Sequence, residues 1–138
     1  MTSSQEYIEK LRKSGLRPTK QRIKICEVLF NSDKTFHFTI NNLVKMIEVN
    51  TNQKISLATV YNTVHAFEKK GYLKEIAINS SQTYFDTNTT DHHHFFDEKH
   101  KELIDLNNED IHPIKIKKTI PGKKIKSVEL LVRVDADN

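Results

Sequence analysis

Apolar residues recur at helical spacing through the first half of the chain, and the rhythm then changes to alternation. Tyr7, Ile8 and Leu11 share one face of a short helix that Ser3 or Ser4 can cap and Gly15 ends. A second helix is expected after Pro18, with Thr19 as cap, burying Ile23, Cys26, Val28, Leu29 and Phe30 before Asn31 and Ser32 stop it. Thr39 caps a third, in which Ile40, Leu43, Val44 and Ile47 fall at i, i+3, i+4 and i+7. Ser56 caps a fourth over residues 57–70, with Leu57, Val60, Val64 and Phe67 inward and Gly71 placed as its C′ residue. Its outward face offers Thr59, Asn62, His65 and Lys69, with Tyr61 at the edge.

Past Gly71 the period is two. Residues 73–78 and 82–85, joined by Asn79-Ser80-Ser81, read as a hairpin. Short helices followed directly by a hairpin describe a winged helix-turn-helix, in which the helix before the hairpin enters the major groove while flanking Lys and Arg hold phosphates. The plain alternative is a small helical domain whose polar face is only hydrated. The remainder, residues 86–138, reads as a second, small α/β unit with strands over 92–97, 102–106 and 125–134. Pro113 and Pro121 argue against one uninterrupted helix between them. The fold class expected is therefore α+β: a winged-helix DNA-binding domain over 1–85, then a small α/β domain over 86–138. So little helix cover would leave an apolar sheet face open, which invites a second copy and a C2 dimer facing a two-fold symmetric DNA site.

Charge sharpens the division. Residues 1–85 carry 13 Lys/Arg and 7 Asp/Glu, a net +6, whereas 86–138 carry 9 and 11, a net −2. The basic half is the nucleic-acid half. Lysine supplies 18 of the 22 basic residues in a chain also rich in Ile and Asn, a bias that an AT-rich genome produces unaided, so charge alone is weak support. No run reaches membrane-spanning length and Met1–Lys10 lacks a signal-type apolar core, so a cytoplasmic protein without a membrane partner is expected. Cys26 is the only cysteine, which excludes an internal disulfide and a four-cysteine zinc site within one chain; it reads as a small core residue.

The candidate chemistry lies in Asp91-His92-His93-His94-Phe95-Phe96. On a strand His92 and His94 project together while His93 points the other way, so two imidazoles make half a metal site. His37, Asp86 and Asp105 are partners of the right chemistry. Such a nitrogen and oxygen shell suits Zn, Mn or Fe(II). A metalloenzyme using His92, His94 and Asp105 as a facial triad is the distant alternative, although no separate acid, base or nucleophile accompanies it, and a metal carrier indifferent to DNA is another.

The segments Leu16-Arg17-Pro18-Thr19-Lys20-Gln21-Arg22, Ser56-Leu57-Ala58-Thr59-Val60-Tyr61-Asn62-Thr63-Val64, Thr83-Tyr84-Phe85-Asp86 and the histidine run, in that order, resemble the ferric uptake regulators. The resemblance spans nearly the whole chain and looks most like the iron response regulator branch, which is associated with haem and iron control. It implies a DNA-binding transcriptional regulator of iron homeostasis, not an enzyme, with a manganese-, zinc- or peroxide-sensing repressor of the same family as the alternative. One divalent metal per chain (Fe, Mn or Zn) would sit at a hinge between the domains on His37, Asp86, His92, His94 and Asp105, with haem as the other ligand of the iron-response reading. Asp91, His93 and His112 correspond to a secondary metal or haem site. Arg17, Lys20, Arg22, Ser56, Thr59, Tyr61 and Asn62 correspond to DNA contacts on an AT-rich, two-fold symmetric operator read by a homodimer. Asn62 stands where many relatives have arginine, so base preference does not carry over. Asp97 and His100 stand where the first Cys-x-x-Cys pair would be, so the structural zinc is not expected. Cys26 precedes Glu27, not proline, so any haem would need histidine ligation.

Overall fold

The computed structural model describes residues 3–137 and divides into two compact units, Met1–Thr89 and Thr90–Asn138. The division falls after Thr89, not after residue 85. Phe36 N–H donates to the Thr87 hydroxyl and Thr87 N–H donates to the Phe36 carbonyl, both at 3.0 Å, which ties Thr87 to the first unit.

The first unit runs α1 (Ser4–Lys13), α2 (Lys20–Phe30), β1 (His37–Phe38), α3 (Ile40–Thr51), α4 (Leu57–Lys70), β2 (Lys74–Asn79) and β3 (Gln82–Asp86). Each helix starts where a short hydroxyl side chain can accept an orphan N–H: Ser3, Thr19, Thr39 and Ser56 do so for the four helices in turn. Thr39 and Asn42 satisfy each other's backbone N–H, closing a reciprocal box. Gly71, at φ +91°, ends α4 in the left-handed region that a Cβ disfavours.

The core of this unit joins Tyr7 and Leu11, Ile25 and Leu29, Leu43 and Ile47, and Val60, Val64 and Phe67 from the four helices with Phe38 and Phe85 from the sheet. Cys26 is fully buried, as its composition suggested. Ile23, Val28 and Phe30 pack against this core only partly, and Ile25, absent from the periodicity reading, is buried outright. Leu57 corrects the inward expectation: at the first turn of α4 it is 54% exposed. Antiparallel β2 and β3 form the wing, and β1 pairs on the other side of β3 with His37 opposite Asp86 and Phe38 opposite Phe85.

The second unit is a three-stranded sheet of order β5-β4-β6, from β4 (His93–Asp97), β5 (Glu102–Leu106) and β6 (Leu131–Val134), with a 3-10 turn at Asn108–Asp110. β5 runs antiparallel and β6 parallel to β4. The alternation expected to form one strand over 125–134 pairs only in its last four residues. Among the described residues, no helix is long and apolar enough to cross a membrane.

Candidate metal centre and nucleic-acid interface

In the second sheet His94 lies directly opposite Asp105, and directly opposed residues share a face. His92, two residues back, joins them. The rings of His92 and His94 are 4.4 Å apart between centroids, and each offers Nε2 to Asp105 Oδ1, at 3.7 Å and 3.3 Å. One ligand atom from each of the three falls within 4.8 Å of the others. The imidazoles are largely buried while Asp105 remains open to solvent.

The neutral tautomer of His92 can be read from its other nitrogen. Nδ1 lies 2.8 Å from the Thr90 carbonyl, which can only accept, so Nδ1 carries the hydrogen and, in the neutral ring, Nε2 presents a lone pair. That lone pair converges with a carboxylate oxygen, two acceptors facing each other, an arrangement that a cation relieves. An imidazole that donates its far N–H to a backbone carbonyl is also the common outer support of a metal-bound histidine. The donor set therefore fits a divalent ion of the Zn, Mn or Fe(II) kind.

The other two residues expected to serve a metal belong to the first unit. His37 and Asp86 are register partners at the end of its sheet, Asp86 buried and His37 half-buried with its ring edge-on to Tyr84. Asp86 Oδ1 accepts the N–H of Asn88 at 2.8 Å. The residues expected at a secondary site are not gathered among the described residues: His93 is buried with Nδ1 accepting the Leu130 N–H at 2.9 Å, and Asp91 and His112 are exposed.

Asp97 and His100, at the positions of the missing cysteines, form a bonded pair of their own. Asp97 Oδ1 accepts the backbone N–H of Lys99 and of His100, and its Oδ2 meets His100 Nδ1 at 2.8 Å. The ring bond, then the His100 backbone bond, hold the Asp97 carboxyl below the ordinary carboxylate range, and the same ring bond holds His100 above the ordinary imidazole value. The contribution of Asp97 is lost as pH falls through its lowered value, and that of His100 as pH rises through its raised one. In an NMR titration His100 is expected to ionise above an ordinary histidine, and Asp97→Asn to return it; an unmoved midpoint would refute the pair.

On the first unit, Arg17, Lys20, Arg22 and Thr59 line one concavity of about 540 Å³, which places the expected phosphate-holding residues beside the start of α4. Arg17 and Lys20 are exposed, whereas Arg22 turns inward and donates to the Arg17 carbonyl at 3.0 Å, so it shapes the loop. Ser56 serves as the α4 cap by accepting the Thr59 N–H. Tyr61 and Asn62 project from the first half of the helix into solvent, where side chains that read bases must lie. His65, assigned to the outward face by the helical period, is half-buried instead. Its ring stands 4.1 Å from that of Tyr61 and 5.4 Å from that of Phe85.

The model of the ferric uptake regulator family matches residues 13–133. The chain is 35% identical over 101 residues to the peroxide operon regulator of Bacillus subtilis (strain 168), covering 73% of this chain and 68% of that protein. It is 32% identical over 102 residues to the peroxide-responsive repressor PerR of Staphylococcus aureus (strain Mu50), covering 74% and 67%. Among solved structures it is similar to the ferric uptake regulator of Pseudomonas aeruginosa with manganese, at TM-score 0.67 and 19% identity over 96% of this chain and 98% of that one. The Vibrio cholerae ferric uptake regulator gives TM-score 0.68 at 19% identity over 94% and 98%. At these identities the likeness is one of fold, and it is the α+β fold expected from the sequence. The metalloenzyme alternative falls with the family assignment. The chain belongs to the ferric uptake regulator family, whose members are metal-responsive transcription regulators that bind DNA as dimers, not enzymes.

Proposed function

We propose that the protein is a repressor that binds operator DNA as a homodimer when a single divalent ion is held by His92, His94 and Asp105 together with Asp86 and His37 of the first unit. The observation that carries this reading is the convergence of two imidazoles and a carboxylate, with the His92 tautomer already set for ligation. A bound ion would supply the positive charge on which these acceptors converge. Ligands drawn from both units would favour one relative orientation of the recognition helices, and only a difference in affinity between orientations can move that equilibrium.

The protein's other parts have matching roles. Arg17 and Lys20 hold phosphates, while Thr59, Tyr61 and Asn62 face the bases of an AT-rich, two-fold symmetric site. Phe95 pairs with Ile104 on one side and Val132 on the other, forming an apolar row across the second sheet whose outer members are 44% and 36% exposed. That row is where a second copy would close the dimer. The protein would act in the cytoplasm.

A second reading, peroxide sensing, is favoured by the names of the curated relatives. Its chemistry would have to run at the metal. Burial pushes the Cys26 thiol up to about 12, so the thiolate that would attack peroxide is scarce at neutral pH. Haem finds no support among these relatives.

Both readings are tested by titrating Fe(II), Mn(II) and Zn(II) while following the anisotropy of a labelled palindromic duplex, then adding hydrogen peroxide. Metal is expected to strengthen DNA binding. Peroxide is expected to release the Fe(II) complex and spare the Mn(II) complex. DNA binding indifferent to every metal would end the first reading, and an Fe(II) complex that survives peroxide the second.

A further inference from the structure

We propose that His65 is a positioning residue that couples the ligand-bearing end of the first sheet to the base-reading Tyr61, through a line of contacting rings. The inference rests on the metal-dependent repressor reading above and adds to it the path by which ligation reaches the recognition helix. Tyr61 and His65 are one helical turn apart on α4, so they share a face, and their rings lie 4.1 Å apart, tilted by 46°. On its other side His65 meets the Phe85 ring edge-on, at 5.4 Å and 84°. Phe85 in turn stacks on Phe38, at 6.1 Å and 28°.

Phe85 and Phe38 are the chain neighbours of Asp86 and His37, and the register pairs ring with ring and ligand with ligand. Adjacent side chains of a strand point to opposite faces. The two-residue ladder therefore carries donors on one face and rings on the other, and a shift of its end that brings Asp86 and His37 onto an ion must also shift Phe85 and Phe38. Phe85 and Phe38 are fully buried in a close-packed core, which passes displacement on to a neighbour because no void absorbs it. That neighbour is His65. Tyr61, by contrast, is half exposed in a cleft of about 690 Å³ between α4 and the wing, and among the described ring contacts its bracing comes from His65.

The alternative is that His65 only fills space beside Phe85, and the test separates the two. Duplex affinity is measured with and without Mn(II) for the wild-type chain, His65→Ala and His65→Phe, and Mn(II) affinity is measured separately by calorimetry. His65→Ala is expected to bind Mn(II) as the wild type does, yet to lose about tenfold of the Mn(II)-dependent gain in duplex affinity, a coupling change of ordinary size for allosteric proteins. His65→Phe, which keeps a ring between Tyr61 and Phe85, is expected to recover most of the gain. A His65→Ala chain that keeps the full gain, or that loses duplex affinity equally with and without Mn(II), overturns the inference. A wild-type chain whose duplex affinity rises with none of Mn(II), Fe(II) and Zn(II) overturns the repressor reading and this inference with it, and shows itself before any variant is made; where another of these ions gives the gain, it takes the place of Mn(II).

Discussion

Replacing His94 with alanine is expected to lower Mn(II) affinity at least about a hundredfold, because even the outer partners of a metal ligand cost about 10–100-fold when removed. His94 sits on the central strand of its sheet, its Nε2 is 3.3 Å from Asp105, and the backbone on both sides is pinned by β5 and β6. His93→Ala is the control, since that ring serves the sheet by accepting the Leu130 N–H. It should destabilise the second unit while leaving the donors of the metal site in place. Calorimetry on both variants decides the matter: equal Mn(II) affinity in His94→Ala and the wild type would remove the site from His92, His94 and Asp105.

Phe67→Ala is expected to destabilise the first unit by about 3–5 kcal/mol, the usual cost of emptying a fully buried phenylalanine site. The ring has no exposure, and it packs edge-on against Phe30 at 5.6 Å and Tyr72 at 6.0 Å. Because a domain is stable by only about 5–15 kcal/mol in all, the loss should bring much of the unit near its unfolding midpoint at growth temperature. Phe67 lies on the same helix as Tyr61 and Asn62, so duplex binding should fall with it. Urea denaturation followed by circular dichroism checks the size of the effect. A shift of less than about 1 kcal/mol would mean that the core closes over the gap, contrary to interior packing of ordinary density.

The helices were legible because their signals are local. Thr39 through Ile47 shows a cap and apolar residues at helical spacing, and each acts within a few residues. The same holds for Ser56 and Gly71 at the two ends of α4. The pairing of His92 with His94 was legible because a strand alternates whatever it pairs with. Burial was harder to read. Ile25 and Leu57 departed from the helical pattern because which flank of a helix is covered depends on the neighbours that happen to pack there.

Three features needed the folded chain. The two-residue strand His37–Phe38 has no periodicity to detect and exists only through its partner β3, far along the chain. The alternating stretch 125–134 forms a strand only where β4 offers an edge, over Leu131–Val134. His65 looked like any polar residue on a wet helix face until the wing brought Phe85 against it.

By itself the sequence determined the four helices and the hairpin, the family, and the kinds of atom available to a metal, since each follows from residue type and short-range spacing. Tertiary structure decided which of those atoms meet. It set His94 across from Asp105, aimed Nδ1 of His92 at a carbonyl, and turned His93 to the backbone of Leu130. The reason is physical: ligand chemistry is a property of a side chain, whereas convergence within a few ångströms depends on strand register, which is fixed by pairing between distant segments and by the turns that join them.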